Sequence, residues 1–348
     1  MIAVHGFKRD PEGGEMATTG ESFHEDQRPR RGLPAGVVKE LTFQDDPKAW
    51  LALVELYGVM VALIAVAVWA WHPLVVLAVM IMMATRQQAC FVLAHDAAHY
   101  RLFKNRTLND IAGRITAGIV GISMCTYRVT HRLHHNHLYE KQDPDIPLNA
   151  GYPRGRAYLL TKLFKDLFGR TAFNTYRYFF GAPVINDETG DPNRPLNDTS
   201  PRLRAAARAD RWWVAGFHLG MPLVAWGGGF LLEYLLLWVV PLLTFLQPIL
   251  RLRAICEHGA VSDFSSPLTA ARTNIGPAWL MWLFFPYQVN FHIEHHMYPS
   301  IPFYNLPRAH DEMMKHGVLT EAEVRDLRET LRLVVADRPA EMAETKVA

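Results

Sequence analysis

Eight histidines in this chain of 348 residues fall into short-range patterns, and a ninth lies between the second and third of them. His95 and His99 form H-D-A-A-H. His131, His134 and His135 form H-R-L-H-H, and His292, His295 and His296 form H-I-E-H-H. His258 stands alone in C-E-H-G. Side chains three or four residues apart share one face of a helix, so each cluster can aim two imidazoles at one point. The remaining histidine of H-x-x-H-H adds a neighbouring direction, which suits a site shared by two metals. Neutral imidazole is the usual ligand for zinc, copper, iron and nickel. Eight or nine histidines exceed the four ligands of a tetrahedral zinc site, so their number argues for two metals with open positions, without choosing the element. A lone H-x-x-x-H is weak evidence, but two H-x-x-H-H clusters beside it are hard to explain as packing or surface histidine. Asp96, Asp143, Asp145, Glu257 and Glu294 flank these residues. They are candidates to orient the rings, with solvated loop acids as the even alternative. His137 extends the second cluster as an orienting neighbour or a surface residue. His5, His24, His72, His218, His310 and His316 receive no role.

The apolar stretches say where such a site sits. Residues 51–71 are about long enough for a membrane-spanning helix. Residues 73–84 continue apolar and resume after Arg86, a second helix that turns polar near His95. Residues 212–226 and 229–250 read as a third and a fourth span, joined at Gly227-Gly228-Gly229, with Glu233 near the interface. Residues 111–125 and 277–285 are too short to cross and are expected at the membrane surface. Residues 128–211 are polar and basic, a hydrophilic cap with an amphipathic helix expected near 158–168. Lys and Arg are absent from both short turns between spans and frequent in the central loop. By the positive-inside rule, both termini and that loop face the cytoplasm. Every histidine cluster then falls on one side, near the membrane boundary.

Composition narrows the remaining classes. The formal net charge of +2 comes with no compact basic module bearing interleaved aromatics, so nucleic acid is not expected as a partner. Cys90, Cys125 and Cys256 form no CxxC pair and no disulfide framework. They read as buried thiols in a reducing compartment. Residues 1–35 lack the apolar core of a signal peptide and read as a disordered cytoplasmic tail. The main domain is expected over 36–325, with a second cytoplasmic tail over 326–348.

At its histidines the chain resembles the membrane fatty acid desaturase superfamily, which includes acyl-lipid and acyl-CoA desaturases and the carotenoid hydroxylases and ketolases. The superfamily pattern H-x(3,4)-H, H-x(2,3)-H-H, H/Q-x(2,3)-H-H is present in order. HDAAHYRLFKN, HRLHHNHLYEKQDPD, RLRAICEHG and NFHIEHHMYPSIPFYNLPRAH carry the likeness, which covers roughly residues 40–320. The resemblance implies an all-α, mushroom-like integral membrane fold with four transmembrane helices and a cytosolic helical cap holding a di-iron site. It implies two iron ions, dioxygen as co-substrate and an external electron donor. The iron-ligand role carries over to His95, His99, His131, His134, His135, His258, His292, His295 and His296. Some desaturases have an Asn ligand one helical turn before the lone histidine, where this chain has Ala254, leaving water or Asn290 for that place. His72-Pro73 lacks the glycines of a fused cytochrome b5-type heme domain. A separate ferredoxin or cytochrome b5-type donor is therefore expected, with the basic central loop as a docking surface for an acidic partner.

The expected activity is insertion of a double bond into a lipid acyl chain. A hydroxylase or ketolase of a carotenoid or other hydrophobic substrate would use the same ligands. A membrane zinc protease would read H-D-A-A-H as a variant of H-E-x-x-H but would leave both H-x-x-H-H clusters idle. A metal transporter would place its ligands at membrane depth, not at the ends of spans.

Overall fold

A computed structural model describes residues 32–140, 143–149, 151–185, 200–261 and 263–337. The terminal tail over 1–31 and most of the Gly/Asp/Pro/Asn-rich stretch 190–201 lie outside these residues. The described part is mostly helical. It opens with α1 (Ala35–Leu41), α2 (Asp46–Trp69), α3 (Pro73–Ala98), α4 (Arg106–Gly118) and α5 (Met124–Asn136). The short α6 (Ile146–Asn149) precedes α7 (Arg156–Leu167) and α8 (Ala172–Ile185), then α9 (Pro201–Gly227). A broken helical rod follows: α10 (Leu231–Tyr234), a π-helical turn (Leu235–Val239), α11 (Val240–Leu243) and α12 (Leu246–His258). The chain closes with α13 (Pro267–Ala270), β1 (Thr273–Ile275), α14 (Ala278–Phe284), α15 (His292–Met297), α16 (Leu306–Lys315), β2 (Val324–Asp326) and α17 (Leu327–Val335). β1 and β2 pair in parallel, Thr273 opposite Val324 and Ile275 opposite Asp326.

Among the described residues, three helical segments are long and apolar enough to cross a membrane: Asp46–Trp69, Pro73–Ala98 and Leu231–His258. Residues 212–226, expected as a separate span, are instead the C-terminal part of the 27-residue α9. The first turns of α9 carry Arg202, Arg204, Arg208 and Arg211, so the helix as a whole does not qualify. Its later turns still expose Trp212, Leu219, Leu223 and Trp226. The last apolar rod is not one continuous α-helix. Pro241 offers no N–H to the preceding turn and crowds its carbonyls, and a π-turn lies directly before it.

α3 is the central element, and its second half is buried from Met83 to Ala98. The polar break in its sequence is accommodated by pairing with carbonyls of other elements, as buried backbone and side-chain polar groups require. Arg86 stacks on Trp282 at 3.6 Å from the ring centroid, donates to the Trp282 carbonyl at 2.5 Å and lies 3.6 Å from Glu55. Gln87 donates to the Trp238 carbonyl at 2.9 Å and Gln88 to the Phe284 carbonyl at 2.6 Å. Gly113 lets α4 close on the same helix. A Cβ there would lie 2.5 Å from the Cβ of Ala97 and 2.3 Å from the sulfur of Met124. This close approach brings the end of α3 beside the start of α5. Residues past 325, assigned to a tail from sequence, hold the last residue of β2 and then α17, of which Leu327 and Val334 are buried. Cys90, Cys125 and Cys256 are buried and unbridged.

Candidate metal centre

Four elements bring the nine histidines into two adjoining groups. The first holds His95 from α3, His99 just past its end, His131 and His135 from α5, and His295 from α15. The second holds His134 from α5, His258 from the end of α12, and His292 and His296 from α15. Within each group the candidate ligand atoms lie within 4.8 Å of one another. Helical periodicity explains the partition. In each H-x-x-H-H the first and last histidines are an i,i+4 pair on one face and enter one group. The middle one points to the other group. α5 therefore gives two rings to the first group and one to the second, and α15 does the reverse.

In the five-ring group, Nε2 of His295 is 2.9 Å from Nε2 of His95 and 2.9 Å from that of His135, which is itself 2.9 Å from His131. In the four-ring group, Nε2 of His258 is 3.2 Å from His134 and 2.8 Å from His292, and His296 is 3.1 Å from His292. His135 and His296 stack at 4.3 Å between ring centroids, so the groups touch.

The outward nitrogens fix some of these rings. Nδ1 of His134 lies 2.9 Å from Asp143, and Nδ1 of His258 lies 3.0 Å from the Ala270 carbonyl. A ring that donates its Nδ1–H outward leaves the Nε2 lone pair facing inward. Asp145 stands 3.7 Å from His134, Glu257 4.0 Å from His292, and Asp96 3.4 Å from His95. Glu294, the fifth flanking acid, turns away from both groups. It accepts from Thr273 at 2.5 Å and pairs with His310 at 2.6 Å. His310, given no role from sequence, thus helps to anchor α15. Its contact joins residues 16 apart, a spacing with no local pattern. The Asn290 amide donates to the Asn274 carbonyl at 3.0 Å, and the residue lines a groove beside Tyr287 that touches none of the nine histidines. His137 pairs with Glu140 at 3.0 Å.

Electrostatics sets the rings apart from ordinary surface histidine. Burial, reinforced by neighbouring rings, holds His131, His135, His292, His295 and His296 well below the usual imidazole range. Burial and the charges of Arg101 and Arg128 bring His99 down to about 3. For His134, burial opposes protonation, but the bond to Asp143 and the charges of Asp145 and Glu257 outweigh it and raise the value. Neutral imidazoles whose nitrogens crowd one point cannot all satisfy one another, because each has one N–H and one lone pair. A cation resolves this. Two nitrogens bound about 2.1 Å from one ion at right angles stand roughly 3.0 Å apart, matching the separations observed. The residues present fit a pair of transition-metal ions.

The fold and this site define a helical, membrane-associated protein built around two buried polyhistidine groups. The chain belongs to the fatty acid desaturase family, whose model matches residues 68–325, and it is an oxidoreductase of that family. It is 26% identical to the dihydrorhizobitoxine desaturase of Bradyrhizobium elkanii, over 69% of this chain and 67% of that one. It is 24% identical to the sn-1 acyl-lipid omega-3 desaturase (ferredoxin) of Nostoc sp. (strain 36), over 69% and 67%. It is also 24% identical to fatty acid desaturase 3 of Bos taurus, over 73% of this chain and 58% of the relative.

Proposed function

We propose that the chain is a dioxygen-dependent desaturase that holds two irons, one in each histidine group, and inserts a double bond into an aliphatic chain such as a lipid acyl chain. The observation that carries this reading is the sorting of nine imidazoles from four elements into two adjoining clusters. Iron, in place of another imidazole-binding metal, comes from the family. Two irons with dioxygen supply the oxidising power that no side chain has. In the overall reaction, one hydrogen leaves each of two adjacent methylenes and a carbon–carbon double bond forms. Dioxygen is reduced to two waters, with two further electrons from an external donor and two protons from solvent.

The protein's own share is to place and enclose. Asp143 and the Ala270 carbonyl hold His134 and His258 with their inner nitrogens unprotonated. Phe91, Tyr127 and Phe179 wall the cavity beside the rings and keep water from the reacting carbons. A ferredoxin or cytochrome b5-type protein serves as donor. The word ferredoxin in the Nostoc relative's name supports the first, and the basic central loop suits an acidic partner. Desaturation is favoured over hydroxylation or ketone formation because the relatives' printed names are desaturases.

The apolar outer face of α9 supports a fourth membrane segment, with both termini and the histidines on the cytoplasmic side. Reporters fused near residue 185 and at the C-terminus should then read cytoplasmic, and one at Gly228 external. The decisive experiment is metal analysis of detergent-purified protein together with product profiling of cells with and without the gene. About two irons per chain and a new unsaturated product are expected. Zinc in place of iron, or a hydroxylated product, would overturn the reading.

A further inference from the structure

One cavity among the described residues touches the histidines, and it is small. It measures ≈ 130 Å³ and touches His131, His134, His258 and His292. An apolar cavity of about 150 Å³ is filled by one benzene molecule, so the space beside the rings holds a group of roughly that size. Larger grooves exist, ≈ 880 Å³ beside Trp282 and Tyr287 and ≈ 560 Å³ beside Phe173 and Phe180, but neither touches any of the nine histidines.

The wall away from the rings is polar. Arg251 is paired with Asp166, which also accepts from Thr171 at 2.5 Å, and Thr175 bonds Gln247 at 3.0 Å. Arg251 and His258 are seven residues apart on α12, or roughly 10 Å at 1.5 Å per residue. This network lines the cavity a short distance from the rings, and a long hydrocarbon tail would meet charges and amides there.

Among the described residues, four polar atoms of lining residues are open; Oε1 of Glu257 and Nδ1 of His292 face each other at 4.0 Å, and two others remain. Among the described residues, Nη1 of Arg253 and Oδ1 of Asn149 are buried and have no hydrogen-bond partner. One is a donor and the other an acceptor, and both belong to residues that line this cavity. Buried polar atoms are rarely left unpaired. An acceptor on a ligand would satisfy Arg253, and a donor on the same ligand would satisfy Asn149. The charged groups of the lining are largely paired with one another, Arg251 with Asp166 and Nε of Arg253 with Glu257, so the open guanidinium donor and the open acceptor are what call for a head that both accepts and donates.

We propose that the substrate is a small amphipathic molecule, a short aliphatic chain of about six carbons ending in a zwitterionic head, with the head between Arg253 and Asn149 and the chain against the histidines. This rests on the reading of the site as an oxidising centre and narrows its substrate.

Photolabelling of iron-loaded full-length protein in lipid nanodiscs tests it with two probes. One is an α-amino acid with an alkyl diazirine on a six-carbon chain, and the other is a diazirine-bearing hexadecanoic acid. The short probe should label peptides from residues 124–136 and 246–258, and unlabelled 2-aminohexanoic acid should compete. Asn149→Leu should lower that labelling about tenfold, as expected for loss of a hydrogen bond to a charged group, with iron content unchanged. The long probe should label only outward faces such as residues 51–69 and 212–227. Labelling of 124–136 and 246–258 by the long probe, with competition by hexadecanoic acid, would overturn the proposal, as would failure of the short probe to label them. Undiminished labelling of Asn149→Leu would overturn the placement of the head. Iron measured on the same sample separates the two readings: two irons with long-probe entry leaves the oxidising centre intact and removes only the short substrate.

Discussion

The five-ring and four-ring groups differ in what stands behind their rings. Behind the four-ring group, Asp143 and Asp145 face His134, Glu257 faces His292 and the Ala270 carbonyl faces His258, and all four rings are buried. Behind the five-ring group, Asp96 at 3.4 Å from His95 is the one carboxylate within ion-pair range among the described residues, and His99 and His135 are only partly buried. One group is held by outer partners, the other by the number of its own rings. Redundancy and support are two routes to a firmly held cluster of imidazoles, and neighbouring groups in one protein use one each.

The largest effect expected from this contrast is at His258. His258→Ala leaves three rings in the supported group, whereas His99→Ala leaves four in the redundant one. Loss of even an outer partner typically costs about 10- to 100-fold in affinity or activity, so His258→Ala should reduce turnover by at least about 100-fold and bring iron from two towards one per chain. His99→Ala should keep more of both. Metal analysis alongside product assay reads this directly, and equal losses in the two variants would remove the distinction.

Asp143→Asn comes next. It keeps the shape but weakens the acceptor behind His134, so one of the two irons should bind about 10- to 100-fold more weakly while the other is unaffected. A chelator titration should turn from one phase into two.

Acidity provides a third test. An imidazole must be neutral to bind metal. His134 is raised above the ordinary value near 6.5, whereas His99 is at about 3 and His131, His135 and His295 are well below the ordinary value. As pH falls through 6.5, protons compete first at His134, so the four-ring group should release its iron first. The five-ring group should keep its iron to markedly lower pH. Stopped-flow trapping of released iron against pH would show the order, and simultaneous release would contradict it.

The smallest effect should come from His310→Ala. It removes one partner of the buried Glu294 carboxylate at a cost of about 1–3 kcal/mol. Because α15 feeds both groups, the melting temperature should fall while the ratio of the two irons stays constant.

The gathering of the histidines was largely legible in the sequence because two or three neighbours on a helix announce themselves by spacing, whereas His258, alone in C-E-H-G, was singled out by the family resemblance. The sorting into two groups was half legible: i,i+4 pairing is local, but which pair meets which depends on how α3, α5, α12 and α15 cross. The supports were less readable. Asp143 lies nine residues from His134 and invited the guess, whereas the Ala270 carbonyl has no side-chain signature at all. Glu294 read as either an orienting partner of its neighbours in H-I-E-H-H or a solvated loop acid, yet its carboxylate is buried and goes to Thr273 and His310. The third expected span was misjudged in extent because the arginines at 202–211 do not end a helix. They only change what its surface meets.

The polar band in α3 bears on the order in which the molecule can be made. Arg86, Gln87 and Gln88 leave the ribosome long before Trp238, Trp282 and Phe284, whose carbonyls receive them. Until the chain has grown by about 150 to 200 residues, this stretch of α3 has Glu55 as a partner for Arg86 but two side-chain amides and one guanidinium donor awaiting their carbonyls, a poor tenant of lipid. Nascent chains interrupted before residue 284 therefore expose a built-in mark of incompleteness to the insertion machinery and to membrane proteases. Only synthesis of α14 erases it.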